Sequence, residues 1–197
     1  LSSLKVMDFT TMLPGPFATM YLSDLGADVI HVERADQEDP IRSVPPLIKG
    51  QSVAHAMLNR SKRSIMVDLK TPYGIQIIKS LVKEYDIIIE QFRPGVMDRL
   101  GVGYDTLKQI NPKLIYCALT GYGQTGELKD RAGHDINYLA RSGIANQMGK
   151  KKNPWPIQAA DVGGGSFHAL VGILSAVIHR EKTGEGQLVD VSMTDGA

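Results

Sequence analysis

The 197-residue chain, 43% hydrophobic and 22% charged, has the size and balance of one globular domain or a large part of a bigger one. Its 22 Lys and Arg against 21 Asp and Glu leave a formal net charge of +1, so no global field favours nucleic acid or a membrane surface, and any anion site has to be local. A single cysteine excludes an internal disulfide framework and fits a reducing, cytoplasmic setting; no apolar run of bilayer-spanning length and no basic leader is expected.

In chain order, residues 6–9 and 28–32 are short apolar runs, and the stretch 16–25 between them carries Phe17, Met20, Tyr21 and Leu25 at helical spacing. The pattern predicts strand, helix, strand. Residues 64–68 alternate as a further strand. Thr71 and Pro72 then supply an N-cap and a proline at the first helical position, and Ile75, Ile78, Leu81 and Val82 form an apolar stripe. Residues 87–90 read as a strand, 94–100 and 104–110 as short helices punctuated by Gly101 and Gly103, and 114–119 as a buried strand holding an inert Cys117. Beyond Gly121 loops dominate, including a polar, proline-bounded excursion over 146–156. A helix over 167–180, with Leu170, Val171, Leu174, Val177 and Ile178 facing inward, leads through a Gly184–Gly186 turn to a last strand at 187–191, where another helix is expected to begin. Helices between apolar strands imply an α/β fold with a mainly parallel sheet. The chain is expected to stop short of its natural C-terminal end.

Three local features carry chemistry. Gly121-Tyr122-Gly123-Gln124-Thr125-Gly126 matches the dinucleotide pattern, but no apolar helical stripe follows it and no acidic residue ends a strand about 20 residues later, so it reads as a tight loop at a strand's carboxyl end. Arg34, Arg60, Lys62, Arg63, Lys70 and Arg93 recur at strand-to-loop junctions, where guanidinium and ammonium groups can converge on a polyphosphate; the alternative is a solvated basic edge. His134, beside Gly133, and Asp161, before the run Gly163–Gly165, offer an imidazole and a carboxylate able to take a proton on one side of a carbon centre and return it on the other. Taken alone, such a histidine is more often structural and such an aspartate more often a helix cap. The glycine run would let backbone N–H groups approach an enolate oxygen. Asp135 reads as a cap for a helix starting near Ile136; the other histidines show no metal-ligand spacing, and the eight methionines read as core filler.

The blocks Leu13-Pro14-Gly15-Pro16-Phe17, Gly26-Ala27-Asp28-Val29-Ile30-His31-Val32-Glu33-Arg34, Asn59-Arg60-Ser61-Lys62-Arg63-Ser64, Val67-Asp68-Leu69-Lys70, Glu90-Gln91-Phe92-Arg93-Pro94-Gly95-Val96 and Asn111-Pro112-Lys113-Leu114-Ile115-Tyr116 run in register along the chain. In order and spacing they resemble the class III CoA-transferase family, also called the carnitine and bile-acid CoA-transferase family, and within it the alpha-methylacyl-CoA racemases. The resemblance implies a Rossmann-like large domain of which residues 1–197 form the N-terminal part, with a small domain and a returning C-terminal segment beyond. It also implies acyl-CoA substrates, an interlocked homodimer, no metal and no permanently bound cofactor, coenzyme A being part of the substrate. Positions matching Arg34, Val67, Asp68, Leu69, Lys70, Arg93, Gly133, Asp135, Asn137 and Tyr138 would contact CoA. In the family's transferases an aspartate matching Asp161 is acylated and a tyrosine usually stands at position 134. In its racemases the Gly-His-Asp-Ile-Asn-Tyr signature found here supplies His134, which acts with Asp161 as the second base.

Overall fold

The computed structural model describes residues 1–147 and 157–197. The excursion expected over 146–156 therefore lies, from residue 148 onward, outside the described residues. In chain order the elements are β1 (Lys5–Asp8), α1 (Pro14–Asp24), β2 (Asp28–Glu33), a 3-10 turn (Pro40–Ser43), β3 (Leu47–Ile48), β4 (Gln51–Ser52), α2 (Val53–Leu58), β5 (Arg63–Met66), α3 (Pro72–Leu81) and β6 (Ile87–Glu90). They continue with α4 (Val96–Arg99), α5 (Tyr104–Leu107), β7 (Ile115–Thr120), α6 (Asp135–Ser142), α7 (Ile144–Gln147), a π-helical segment (Ala160–Phe167), α8 (His168–Thr183), β8 (Leu188–Ser192) and α9 (Met193–Gly196).

Six strands pair in the order β5-β2-β1-β6-β7-β8, every pair parallel, which is the expected α/β architecture. The order reverses between β1 and β6, since β1 leads outward to β2 and β5 while β6 leads the other way to β7 and β8. Loops leaving the carboxyl ends of β1 and β6 therefore diverge, and a crevice opens between them.

Side chains alternate across the sheet, so each face gains its own apolar layer. Val6, Ile87, Ile89, Cys117 and Leu119 pack against Ala18 and Leu22 of α1 and Ile173 and Ala176 of α8. On the other face, Met7, Ile30, Ile88 and Tyr116 meet Ile78, Val82 and Leu107. Truncating a fully buried residue such as Ile89 to Ala would cost about 2–5 kcal/mol. The predicted start of α3 holds, with the Thr71 hydroxyl accepting from the Gly74 N–H at 3.0 Å.

Several expectations need correction. The strand expected to reach residue 68 ends at Met66, because Asp68 turns the chain: its Oδ1 accepts the Lys70 N–H at 2.9 Å and its carbonyl takes the Thr71 hydroxyl. The segment Val53–Leu58 and the small β3–β4 pair had no periodic signal. On α8 the buried face is Ala169, Leu170, Ile173, Ala176 and Val177, whereas Val171 and Ile178, expected inward, are 65% and 54% exposed. The buried face is the expected stripe displaced by one position, because the small Ala169 and Ala176 and the branched Ile173 are the side chains that pack into the core on this face of the sheet. The π-helical segment and α8 make one continuous helix over Ala160–Thr183, long and apolar enough to cross a bilayer by length and composition. That overturns the expectation of no such run, although here its inner face packs on the sheet. Of the methionines, Met7, Met20, Met97 and Met193 are buried, but Met12, Met57 and Met66 are exposed and fill no core.

Candidate active site

Two cavities lie at the carboxyl end of the sheet, where the strand order reverses. The first, about 300 Å³, is lined from β1's exit by Met12, Leu13 and Pro14, from β6's exit by Gln91, Phe92 and Arg93, and from later elements by Lys129, Arg131, His134 and Asp161. The second, about 250 Å³, is lined by Thr11, His31, Arg34, Val67, Leu69 and Phe92, among others. Phe92 borders both, and Thr11 and Met12 are consecutive, so the two adjoin along one crevice.

His134 precedes the first residue of α6, where its backbone N–H donates to Asn137 Oδ1 at 2.9 Å and its imidazole stands exposed at the cavity. Tyr138, one turn along, is buried and donates its hydroxyl to the Gly133 carbonyl at 2.7 Å. A Cβ on Gly121 would collide with that ring, so only glycine leaves room for α6 to seat there. Asn137 and Tyr138, two of the residues matched to CoA contacts, thus both spend polar groups on the loop that presents His134.

Asp161 sits in the first turn of the π-helical segment, 8% exposed. Burial, reinforced by the negative charge of Asp135 and opposed by His134, pushes its carboxyl up to about 6. Asp135 does not cap its own helix. Its Oδ1 reaches across to accept the backbone N–H groups of Ala160 at 2.8 Å and Asp161 at 2.9 Å, two of the donors left unpaired where the π-helical segment begins. The glycine run also differs from expectation. Gly163–Gly165 lie within the helix and line neither cavity. Gly164 has no space for a side chain because α9 crosses it, the Met193 carbonyl and the Ala197 amide standing where a Cβ would be. Gly164 and Gly165 allow close packing with α9, whereas Gly163 is exposed with open space where a side chain would stand.

The cations divide into three groups. Arg93 faces the first cavity and forms no ion pair among the described residues; the carboxyl of Glu90, pushed up to about 8 mainly by burial, accepts the Phe92 N–H at 2.7 Å and shapes the turn that projects it. Arg34 borders the second cavity and forms a bidentate pair with Asp36, both bonds at 2.9 Å, while Lys70 reaches the same carboxylate at 3.2 Å. Val67 and Leu69 line that cavity, whereas Asp68 and Lys70 do not. Lys62, Arg60 and Arg63 are structural, which corrects their place in the expected anion site: Arg60 pairs with Asp24, Arg63 with Asp28, and Lys62 donates to Asp8 Oδ2, the Pro16 carbonyl and Asn59 Oδ1 at 3.0–3.1 Å.

Asp8 is wholly buried. Burial alone would raise its carboxyl, but Lys62, His31 and the Thr10 hydroxyl together hold it well below the ordinary carboxylate range. An apolar strand ending in Asp8 gave no sign of a partner 54 residues on. Lys129 and Arg131 were missed as well, although a Lys-x-Arg pair in the loop before Gly133 was visible in the sequence.

The profile of CoA-transferase family III matches residues 1–197. The chain belongs to that family. It is 39% identical over 199 aligned positions to human alpha-methylacyl-CoA racemase, with 100% of this chain and 48% of the relative covered. Against human succinyl-CoA:glutarate CoA-transferase the identity is 39%, covering 98% and 45%, and against acetyl-CoA:oxalate CoA-transferase of Acetobacter aceti it is 42%, covering 98% and 50%. The crystal structure of a CAIB/BAIF family protein from Brucella suis superposes with a TM-score of 0.92 at 37% identity, over 98% of this chain and 53% of that one. The family III chain thus spans about half the length of the curated relatives it matches. Relatives named as a racemase and relatives named as CoA-transferases match about equally well.

Proposed function

We propose that this chain carries the two bases and much of the CoA-binding crevice of an enzyme that inverts the α-carbon of a 2-methylacyl-CoA. The observation that carries the reading is His134 and Asp161 on one cavity, with the Asp161 carboxyl pushed up to about 6. A nucleophilic carboxylate has to be ionised throughout, whereas a base that must also give a proton back works best when it titrates near the working pH. In one direction neutral His134 removes the α-hydrogen as a proton, the electron pair moves onto the thioester oxygen, and protonated Asp161 delivers its proton to the other face of the carbon. Histidinium and aspartate result, and the opposite enantiomer is processed by the reverse transfers. The charge count is unchanged. Arg93, Lys129 and Arg131 at the first cavity and Arg34 at the second supply fixed positive charge for the phosphates of coenzyme A, and the apolar Val67, Leu69 and Phe92 offer a surface for its base. The whole enzyme is proposed to be a cytoplasmic homodimer that needs no metal.

The competing reading is acyl transfer, in which Asp161 attacks the thioester carbonyl, the thiolate of CoA leaves, and a mixed anhydride then passes the acyl group on. Incubating the whole enzyme with a single-enantiomer 2-methylacyl-CoA in deuterated water separates the two. Racemisation with deuterium wash-in and no acceptor acid is expected, with His134→Ala and Asp161→Ala each suppressing wash-in from a different enantiomer by about 10²–10⁴-fold. Absence of exchange, together with a hydroxylamine-sensitive acyl adduct at Asp161, would establish the transferase instead.

A further inference from the structure

We propose that Asp135 is a positioning residue that locks the two bases to each other and supplies the fixed negative charge that keeps the Asp161 carboxyl a usable proton donor. The inference rests on the reading of His134 and Asp161 given above, and it adds a residue to which that reading assigned no such role. Asp135 follows His134 directly, so its backbone moves with the imidazole. Its carboxylate, 26 residues away in sequence from the second base, accepts that base's own N–H at 2.9 Å and the preceding one at 2.8 Å. One side chain therefore spans the two elements that carry the reacting groups. It is 8% exposed, and both of its hydrogen bonds come from backbone N–H donors at a helix start, where a carboxylate oxygen is a strong acceptor.

The charge arrangement follows from the packing. Facing Asp161 from α6 are His134, Asp135 and the Tyr138 hydroxyl, the last pushed up to about 12 by burial first and by Asp161 next. The helix α9 and the strand β8 carry Asp195 and Asp190, which line a separate cavity beside His168, while α1 meets the π-helical segment through the Pro14 carbonyl and the Phe17 ring. Arg93, Lys129 and Arg131 border the same cavity. Among these acids Asp135 is the one bonded to the Asp161 backbone and the one whose charge opposes ionisation of Asp161.

The role divides into an acceptor and a charge, and two substitutions separate them. Asp135→Asn keeps an oxygen for the two N–H groups and removes the charge; Asp135→Ala removes both. In the whole enzyme, the limb of the rate-against-pH profile belonging to Asp161 should move down by about one pH unit in Asp135→Asn. Asp135 lines neither cavity, contrary to its place among the expected CoA contacts, so Asp135→Ala should lose about 10²-fold in kcat with KM little changed, because orientation of the bases is lost. A purely structural cap would instead lower the unfolding midpoint of both variants and leave the pH limb and the rate per folded molecule unchanged, which overturns the proposal. If Asp135→Ala does not fold, a ¹³C titration of the Asp161 carboxyl, assigned by its absence from Asp161→Asn, decides the matter. A lower midpoint in Asp135→Asn supports the proposal and an unmoved one refutes it, whether or not turnover is measurable. Full activity in Asp161→Asn would overturn the function reading itself, an outcome distinct from an inactive Asp161→Asn paired with an unaltered Asp135→Asn.

Discussion

Replacing Asp161 by Asn should make the protein more stable above neutral pH while removing its activity. The carboxyl is held in a buried turn beside Asp135, and its rise from 3.8 to about 6 means that the folded state binds the proton more tightly than the unfolded chain does. With each tenfold in proton affinity worth about 1.4 kcal/mol, the ionised carboxylate weakens folding by at most about 3 kcal/mol. Water reaching the open side of the cavity screens part of that, leaving about 1–2 kcal/mol. The sign follows from linkage: below about pH 4 both states are protonated and wild type keeps its full stability, and this contribution is lost as the pH climbs through about 6. The amide keeps the shape and the backbone bonds to Asp135. Urea unfolding of wild type and Asp161→Asn at about pH 4 and about pH 8 should show matched midpoints at the lower pH and a higher midpoint for the variant at the other. A variant advantage of equal size at both, or none at about pH 8, would refute the reasoning.

Lys62→Met should destabilise the fold by about 3–5 kcal/mol, because it leaves Asp8 charged and unpaired in the interior; a loss below about 1 kcal/mol in urea would show that Asp8 is not held this way. Gly164→Ala should cost about 1–3 kcal/mol by forcing α9 off the π-helical segment, read as a lowered thermal midpoint, and unchanged melting would deny the close crossing. Arg93→Ala should weaken CoA binding to the whole enzyme by about 1–3 kcal/mol in calorimetry, with a shallower salt dependence, and equal titrations would remove Arg93 from the site.

The sheet was legible in the sequence because its central strands are short apolar runs separated by capped helices; Thr71-Pro72 marked the start of α3 within a residue. His134 and Asp161 were legible only through the resemblance, since neither residue alone is distinguished from a structural one. Other features depend on long-range partners that no local pattern encodes. Lys62 had the local setting of a surface cation, and only the fold brings Asp8, 54 positions away, against it. The segment Val53–Leu58 is six residues long and half exposed, too short for periodicity to register. Gly163–Gly165 carried the signal of a flexible turn, yet at Gly164 the crossing of α9 makes glycine the residue a helix requires. The cap made by Asp135 was assigned to the adjacent helix because its true acceptor role spans 25 residues.

Cys117 stands in the central strand β7 with no solvent exposure, and burial pushes its thiol far above the ordinary range. Within residues 1–197 it is the single sulfhydryl, so it forms a built-in reporter of core opening. Alkylating reagents can reach it only through excursions that lift the α1 and α8 layer from its face of the sheet. Its labelling rate, measured against reagent concentration, would read the free energy of that opening under native conditions, and would respond to CoA by the amount that ligand stabilises the closed layer.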